Sequence, residues 1–235
     1  MIDQATGTLL RRYRQGEAAI PGFLDDYAVF VQGLLDLYEA QFDLGHLELA
    51  VKLTERMRDL FEDREGGGFF GSARDDAWLM MRVKEDYDGA EPSGNSVAAM
   101  NLLRLAEMTG RGEFRESAAR TLAAFASRLA GAPVALPQLL AACEFFRAQP
   151  RQIILVGENA AADTRALLRE LHSRFVPNRV VLLVDSEETR GKLAAAIPSI
   201  ASMQKLEGRA SAHVCHNYTC QLPVSDPARF AGLIQ

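Results

Sequence analysis

Leu34 to Glu39 reads LLDLYE, and Leu102 to Glu107 reads LLRLAE. The second hexapeptide is the first displaced along the chain, and the displacement extends past it. At the same offset Ala50 falls on Ala118, Thr54 on Leu122, Met57 on Phe125 and Phe61 on Leu129. Around both copies apolar residues recur at three and four residues, the spacing of one helix face. Phe23, Tyr27, Phe30, Val31, Leu34 and Tyr38 make one set, and Leu47, Ala50, Val51, Thr54, Met57 and Phe61 the next. Met100, Leu103 and Ala106 follow, then Phe114, Ala118, Leu122, Phe125 and Leu129. A fifth helical segment is expected over Leu136 to Phe146, after Pro133 and beside Pro137. A helix pair with a short turn thus occurs twice. Such pairs cannot bury their faces alone and stack on neighbours, as a solenoid or a closed helical toroid.

Between the pairs runs a long connection, roughly 62–94. Its three glycines, Gly66 to Gly68, mark a turn, and AWLMMRVKE, from Ala77, has the composition of a short strand. A connection of this length in a compact domain carries function or a small structure of its own.

The period changes after residue 149. RQIILVG and NRVVLLVD are short β-branched runs, as buried parallel strands are, and the amphipathic AADTRALLRELHSRF lies between them. This order predicts a right-handed βαβ crossover. A helix capped by Ser186, a third strand and turn over SAHVCHNYTCQLPV, and a last helix capped by Asp226 with Pro227 at its first position complete the chain. The expected fold is mainly α with α/β. A helical-hairpin domain over 1–149 is followed by a small parallel βαβ unit over 150–235.

Composition narrows the function classes. The 235 residues are 48% hydrophobic and 24% charged, with a net charge of −5 and no polybasic block. Nucleic acid and anionic membrane are therefore not expected partners. No apolar run is long enough to span a bilayer, and the N-terminus lacks the apolar stretch of a signal peptide. Three cysteines fit a reducing, cytoplasmic setting.

GFLDDYAVFVQGLLDLYEA, DGAEPSGNSVAAMNLLRLAEMTG and VCHNYTCQLPV together resemble the C-terminal part of the spermatid-associated thioredoxin-like family. The resemblance implies an N-terminal thioredoxin-like domain followed by a helical toroid similar to N-acylglucosamine 2-epimerases and six-hairpin glycosidases. Here the thioredoxin-like domain and half of the toroid are expected to be missing, leaving a partial (α/α) toroid.

Five candidate sites follow. In EPSGNS, Ser93 or Asn95 can cap the next helix, and the same helix start can meet a hydroxyl-rich or anionic ligand. In FLDDYA, Asp25 and Asp26 suit the positive end of their helix. The resemblance also implies that Asp26 and Tyr27 face a toroid cavity. Glycosidic chemistry needs two carboxyls, and Asp26 with Glu91 is the candidate catalytic pair. Epimerisation needs a base such as His, and His46 sits in a turn. The aromatics Phe69, Phe70, Trp78 and Tyr87 either stack on a sugar ring or pack the connection onto the helices. His213, Cys215, His216 and Cys220 are zinc-ligand types without zinc spacing; Cys215 and Cys220 read as buried thiols or as a redox or disulfide pair. Cys143 lies on an apolar helix face. In the βαβ unit only Gly157 stands where a dinucleotide site has three glycines, so Asp185 at the next strand end is a weak ribose ligand and packing is the expected role.

The expected function is a carbohydrate-binding or carbohydrate-active toroid, with Tyr27, Trp78, Ser93 and Asn95 as ligand contacts. The alternative is a non-catalytic interaction module working with a thioredoxin-like domain or partner. No metal or cofactor is expected, and a sugar or sugar phosphate is the expected ligand. A partial ring leaves an apolar edge, so a homodimer is expected to cover it unless the α/β unit does.

Overall fold

The structure is a computed structural model that describes residues 1–3, 5–74, 81–217 and 219–235. It divides into two compact units, 1–105 with 112–144, and 106–111 with 145–235.

The first unit opens on an antiparallel hairpin, β1 (Leu10–Arg14) and β2 (Glu17–Pro21), pairing Arg12 with Ala19 and Arg14 with Glu17. Its two-residue turn, Gln15-Gly16, has φ of 53° and 85°, the backbone that tight hairpins require. The sequence reading had no strands here. Helices α1 (Leu24–Gln41) and α2 (Leu44–Phe61) follow. Phe42 turns left-handed to end α1, and the Asp43 side chain accepts from the Gly45 N–H at 2.8 Å to start α2. Helices α3 (Gly94–Thr109) and α4 (Gly112–Ala124) form the second pair.

The repeat is visible in the element bounds. α1 and α3 end, and α2 and α4 begin, at positions separated by 68 residues. The second pair is less regular than expected. Its last helix breaks at Phe125, and a short α5 (Ala126–Gly131) carries Leu129 instead. Helix α6 (Pro137–Ala148) then takes the place of the expected fifth segment.

Side chains at Tyr27, Val31, Leu35 and Tyr38 of α1, Leu53, Met57 and Phe61 of α2, and Leu102 and Leu103 of α3 are fully or almost fully buried. Each such side chain contributes about 1.5–3 kcal/mol of apolar burial. Phe30, read as a member of the buried stripe, is instead 40% exposed. The stripe turns through Leu24, Ala28 and Leu35, which the spacing argument had not included.

The connection after α2 is irregular. The described part of the expected strand, from Met81, forms none. Arg82 instead donates to the Ser72 carbonyl at 2.8 Å, and the Gly71 N–H donates to the Val83 carbonyl. The remainder of that stretch, with Trp78, lies outside the described residues.

In the second unit β3 (Arg151–Val156), α7 (Ala162–His172) and β4 (Arg179–Val184) form the expected crossover, with β3 and β4 parallel. The sheet is mixed, however, not parallel throughout. β5 (Ser211–His216) pairs antiparallel with β3, and β6 (Thr219–Cys220) with β5, in the order β4-β3-β5-β6. Helix α8 (Glu187–Ala196) is capped by Ser186, and α9 (Pro227–Leu233) by Asp226. Among the described residues there are thus nine α-helices, and none is long and apolar enough to cross a membrane.

Candidate functional site

The N-terminus of α3 carries most of the candidate polar groups, and they bond inward. Ser93 caps the helix: its Oγ accepts from the Ser96 N–H at 3.2 Å and donates to the Ser96 hydroxyl at 2.9 Å. Asn95 is 1% exposed. Its Oδ1 accepts from the Phe69 N–H at 2.7 Å, and its amide donates to the Phe69 carbonyl at 2.9 Å. One side chain thereby replaces a strand partner for the buried connection. Asp88 does similar work: its Oδ1 accepts from the Ser93 N–H, and its Oδ2 accepts from the N–H groups of Gln138 and Leu139 at the start of α6. The sequence reading passed over Asp88. Its signal was an Asp five residues before a Ser cap, but the α6 partner is fifty residues away.

Tyr27 is fully buried and accepts a hydrogen bond from the Leu9 N–H at 2.8 Å. Its ring meets Phe61 edge-on, with centroids 5.5 Å apart. Burial holds its phenol above the usual range, against the lowering effect of the Leu9 bond. Tyr27 therefore ties the N-terminal hairpin to α1. Asp26 accepts from the Phe23 N–H at 2.8 Å in the first turn of α1, and Arg11 of β1 approaches it at 3.5 Å.

A cleft of about 520 Å³ opens beside these groups. Leu9, Leu10 and Arg11 line one side; Asp25, Asp26, Val29, Phe30, Gly33, Leu34 and Leu37 of α1 line the floor; Glu91 stands at the edge. The structure thus brings Asp26 and Glu91 to one cleft and turns Tyr27, Ser93 and Asn95 away from it into the core. Among the described residues lining the cleft there is no hydroxyl, amide, Tyr or Trp. Its chemistry is a few carboxylates and one guanidinium over an apolar floor that includes the Phe30 ring.

The other candidates fall elsewhere. Phe69 is buried, Phe70 lies under Arg82, whose guanidinium carbon is 4.1 Å from the ring centroid, and Tyr87 is 61% exposed. His46 lies in the first turn of α2. Glu62, unremarked in the sequence reading, is 2% exposed and joins α2 to α4. It accepts from Ser117 at 2.6 Å, Arg120 at 2.7 Å and Arg58 at 3.0 Å. Burial pushes its carboxyl up, but those bonds and charges outweigh burial and hold it below the usual range. Next to it, a hydrogen bond from Lys84 at 2.7 Å and one from the Gly66 N–H lower Asp63 to about 2.

In the second unit, Cys215 and Cys220 face one another across the β5–β6 pair and are joined in a disulfide, which replaces the reading of buried free thiols. Cys143 is free and half-buried. His213 is buried, which lowers its pKa, and lies 3.2 Å from the Ser211 hydroxyl. Among the described residues no three His, Cys, Asp or Glu side chains are grouped to hold a metal. Gly157 has a packing reason: a Cβ there would lie 2.4 Å from Thr164 Oγ1. A cleft of about 340 Å³ at the ends of β3 and β4 includes Asp185, but Asp185 accepts from Thr189 at 2.7 Å, and Lys205 there pairs with Glu158.

No family model matches the chain. Over its whole length it is 40% identical to human spermatogenesis-associated protein 20 and 39% identical to the mouse protein of that name. A Caenorhabditis elegans protein is 34% identical over 89% of the chain. The chain spans about a third of the length of these relatives, 31% of the human and mouse proteins.

Proposed function

We propose that this segment is a non-catalytic interaction module, a part of a helical toroid that works beside a thioredoxin-like domain in a longer polypeptide. One observation carries the reading: the polar side chains able to hold a small ligand bond inward, while the open cleft presents Val29, Phe30, Leu34 and Leu37. An apolar floor without hydroxyl or side-chain amide partners stabilises a packed polypeptide surface better than a sugar, whose hydroxyls each need a partner. The similarity over the whole chain to proteins about three times longer agrees with a segment that acts within a larger assembly.

A second reading keeps a sugar or sugar phosphate in the same cleft. The presence of both Asp26 and Glu91 on its wall favours it, since glycosidic chemistry uses two carboxyls. A thermal-shift screen with mono- and disaccharides and sugar phosphates, run on the wild type and Glu91→Ala, separates the two. A ligand specific to the folded state raises the melting temperature. The module reading predicts no sugar-specific rise; a rise abolished by Glu91→Ala would establish the carbohydrate reading instead.

A further inference from the structure

The two helix pairs share a period, so each contact of the second pair has a counterpart position on the first. α3 lies along α1. The Asn101 amide donates to the Ala28 carbonyl at 2.7 Å, Arg104 pairs with Asp36 at 2.7 Å, and a Cβ at Gly94 would lie 2.8 Å from Leu24. Val97, Ala98 and Leu105 share that α3 face with Asn101, and all four are at most 2% exposed. Stepping back by the 68-residue period lands on Val29, Phe30, Gly33 and Leu37. Those four positions are exposed, Val29 by 54% and Leu37 by 44%, and they form the floor of the open cleft.

Gly33 adds an independent observation. It sits inside α1, where glycine is unfavourable, yet a Cβ there would meet nothing within 4 Å. Nothing among the described residues requires the small residue. A second backbone approaching at that point would.

Resting on the module reading, we propose that the exposed face of α1 is the seat for the helix of one further α-hairpin of the same repeat, packed on α1 as α1 packs on α3. The occupant is a helix of the longer polypeptide in which this segment stands. The two thirds of the relatives' length outside the match leaves room for several units of this size. A second copy of this chain is a poorer occupant. The face that α1 shows α3, through Leu24 and Ala28, is the one the arriving helix must copy, and in this chain it is already buried. Among the described residues lining the cleft, Asp25, Asp26 and Glu91 stand against one basic side chain, Arg11, which calls for a basic residue on the arriving helix.

Photo-crosslinking in the full-length human relative tests this. Benzoylphenylalanine replaces the residue aligned with Phe30 or, in a second variant, Leu37, and mixed isotope labelling tells one chain from two. The expected product joins that position to a peptide of the same chain, outside the matched segment, with apolar residues at helical spacing. A peptide from a second copy, a peptide from inside the matched segment, or no product at either position overturns the proposal. Replacing Gly33 by Leu provides the control. The melting temperature of the 235-residue chain is expected to stay level or rise, while the aligned substitution lowers that of the longer relative. An unchanged longer relative also overturns the proposal. None of these outcomes depends on whether a sugar binds, so a failed seat and a failed module reading are told apart.

Discussion

Asn95 shows how one residue type serves two readings. Its amide satisfies both the N–H and the carbonyl of buried Phe69. Asn95→Ala leaves both groups without partners in the core, which costs about 3 kcal/mol of folding stability. Urea unfolding of the variant checks this. A loss below about 0.5 kcal/mol would mean the side chain is dispensable to the fold, as a dedicated ligand contact is. The acid side of the stability curve has residue-scale causes as well. Asp63 titrates at about 2 in the folded chain against an ordinary 3.8, and Glu62 is likewise held down. Carboxyls depressed by folding contribute stability that is fully present above their unfolded pKa values and lost as pH falls through the folded ones. Stability is therefore expected to fall between about pH 4 and pH 2. Lys84→Met, which removes the largest lowering influence on Asp63, flattens that slope. An unchanged pH profile in the variant would contradict the assignment.

Elements are joined by a few carboxylates placed at their ends. Asp88 caps α3 through Ser93 and α6 through Gln138 and Leu139. Asp88→Ala removes both caps, a loss of about 2 kcal/mol, and exposes the starts of both helices to faster amide exchange. Exchange that speeds at α3 alone would contradict the double cap. The helices themselves were legible because the LLDLYE and LLRLAE pair fixes the period, while the buried face of α1 was misplaced at Phe30. The hairpin of β1 and β2 was not, because its strands are largely solvent-exposed and lack alternating apolar residues, and its turn uses Gln-Gly rather than Asn-Gly. For a similar reason the spacing alone left the disulfide as one of two readings of Cys215 and Cys220. A Cys-x4-Cys spacing closes only when β5 and β6 pair in the register that sets Cys215 opposite Cys220, and register is not a local property. At the cleft, Asp26 and Glu91 both line the wall, but the inward turn of Tyr27 and Asn95 depends on Leu9 and Phe69, remote in sequence.

At the scale of the molecule, a repeat that buries one copy of a face and exposes the other is asymmetric in the way an interrupted array is. The buried copy on α3 and the open copy on α1 differ in surroundings more than in apolar character. With the proposed helix seated on α1, polypeptide covers the open copy in the longer chain. The direct measurement is maleimide labelling of Leu37→Cys in the 235-residue chain and of the aligned cysteine in the human relative, read by peptide mass spectrometry. Rapid labelling is expected in the short chain and labelling at least about tenfold slower in the long one, because a thiol reacts only where reagent reaches it. Equal rates in the two proteins would leave the face open in both and contradict a helix seated on α1.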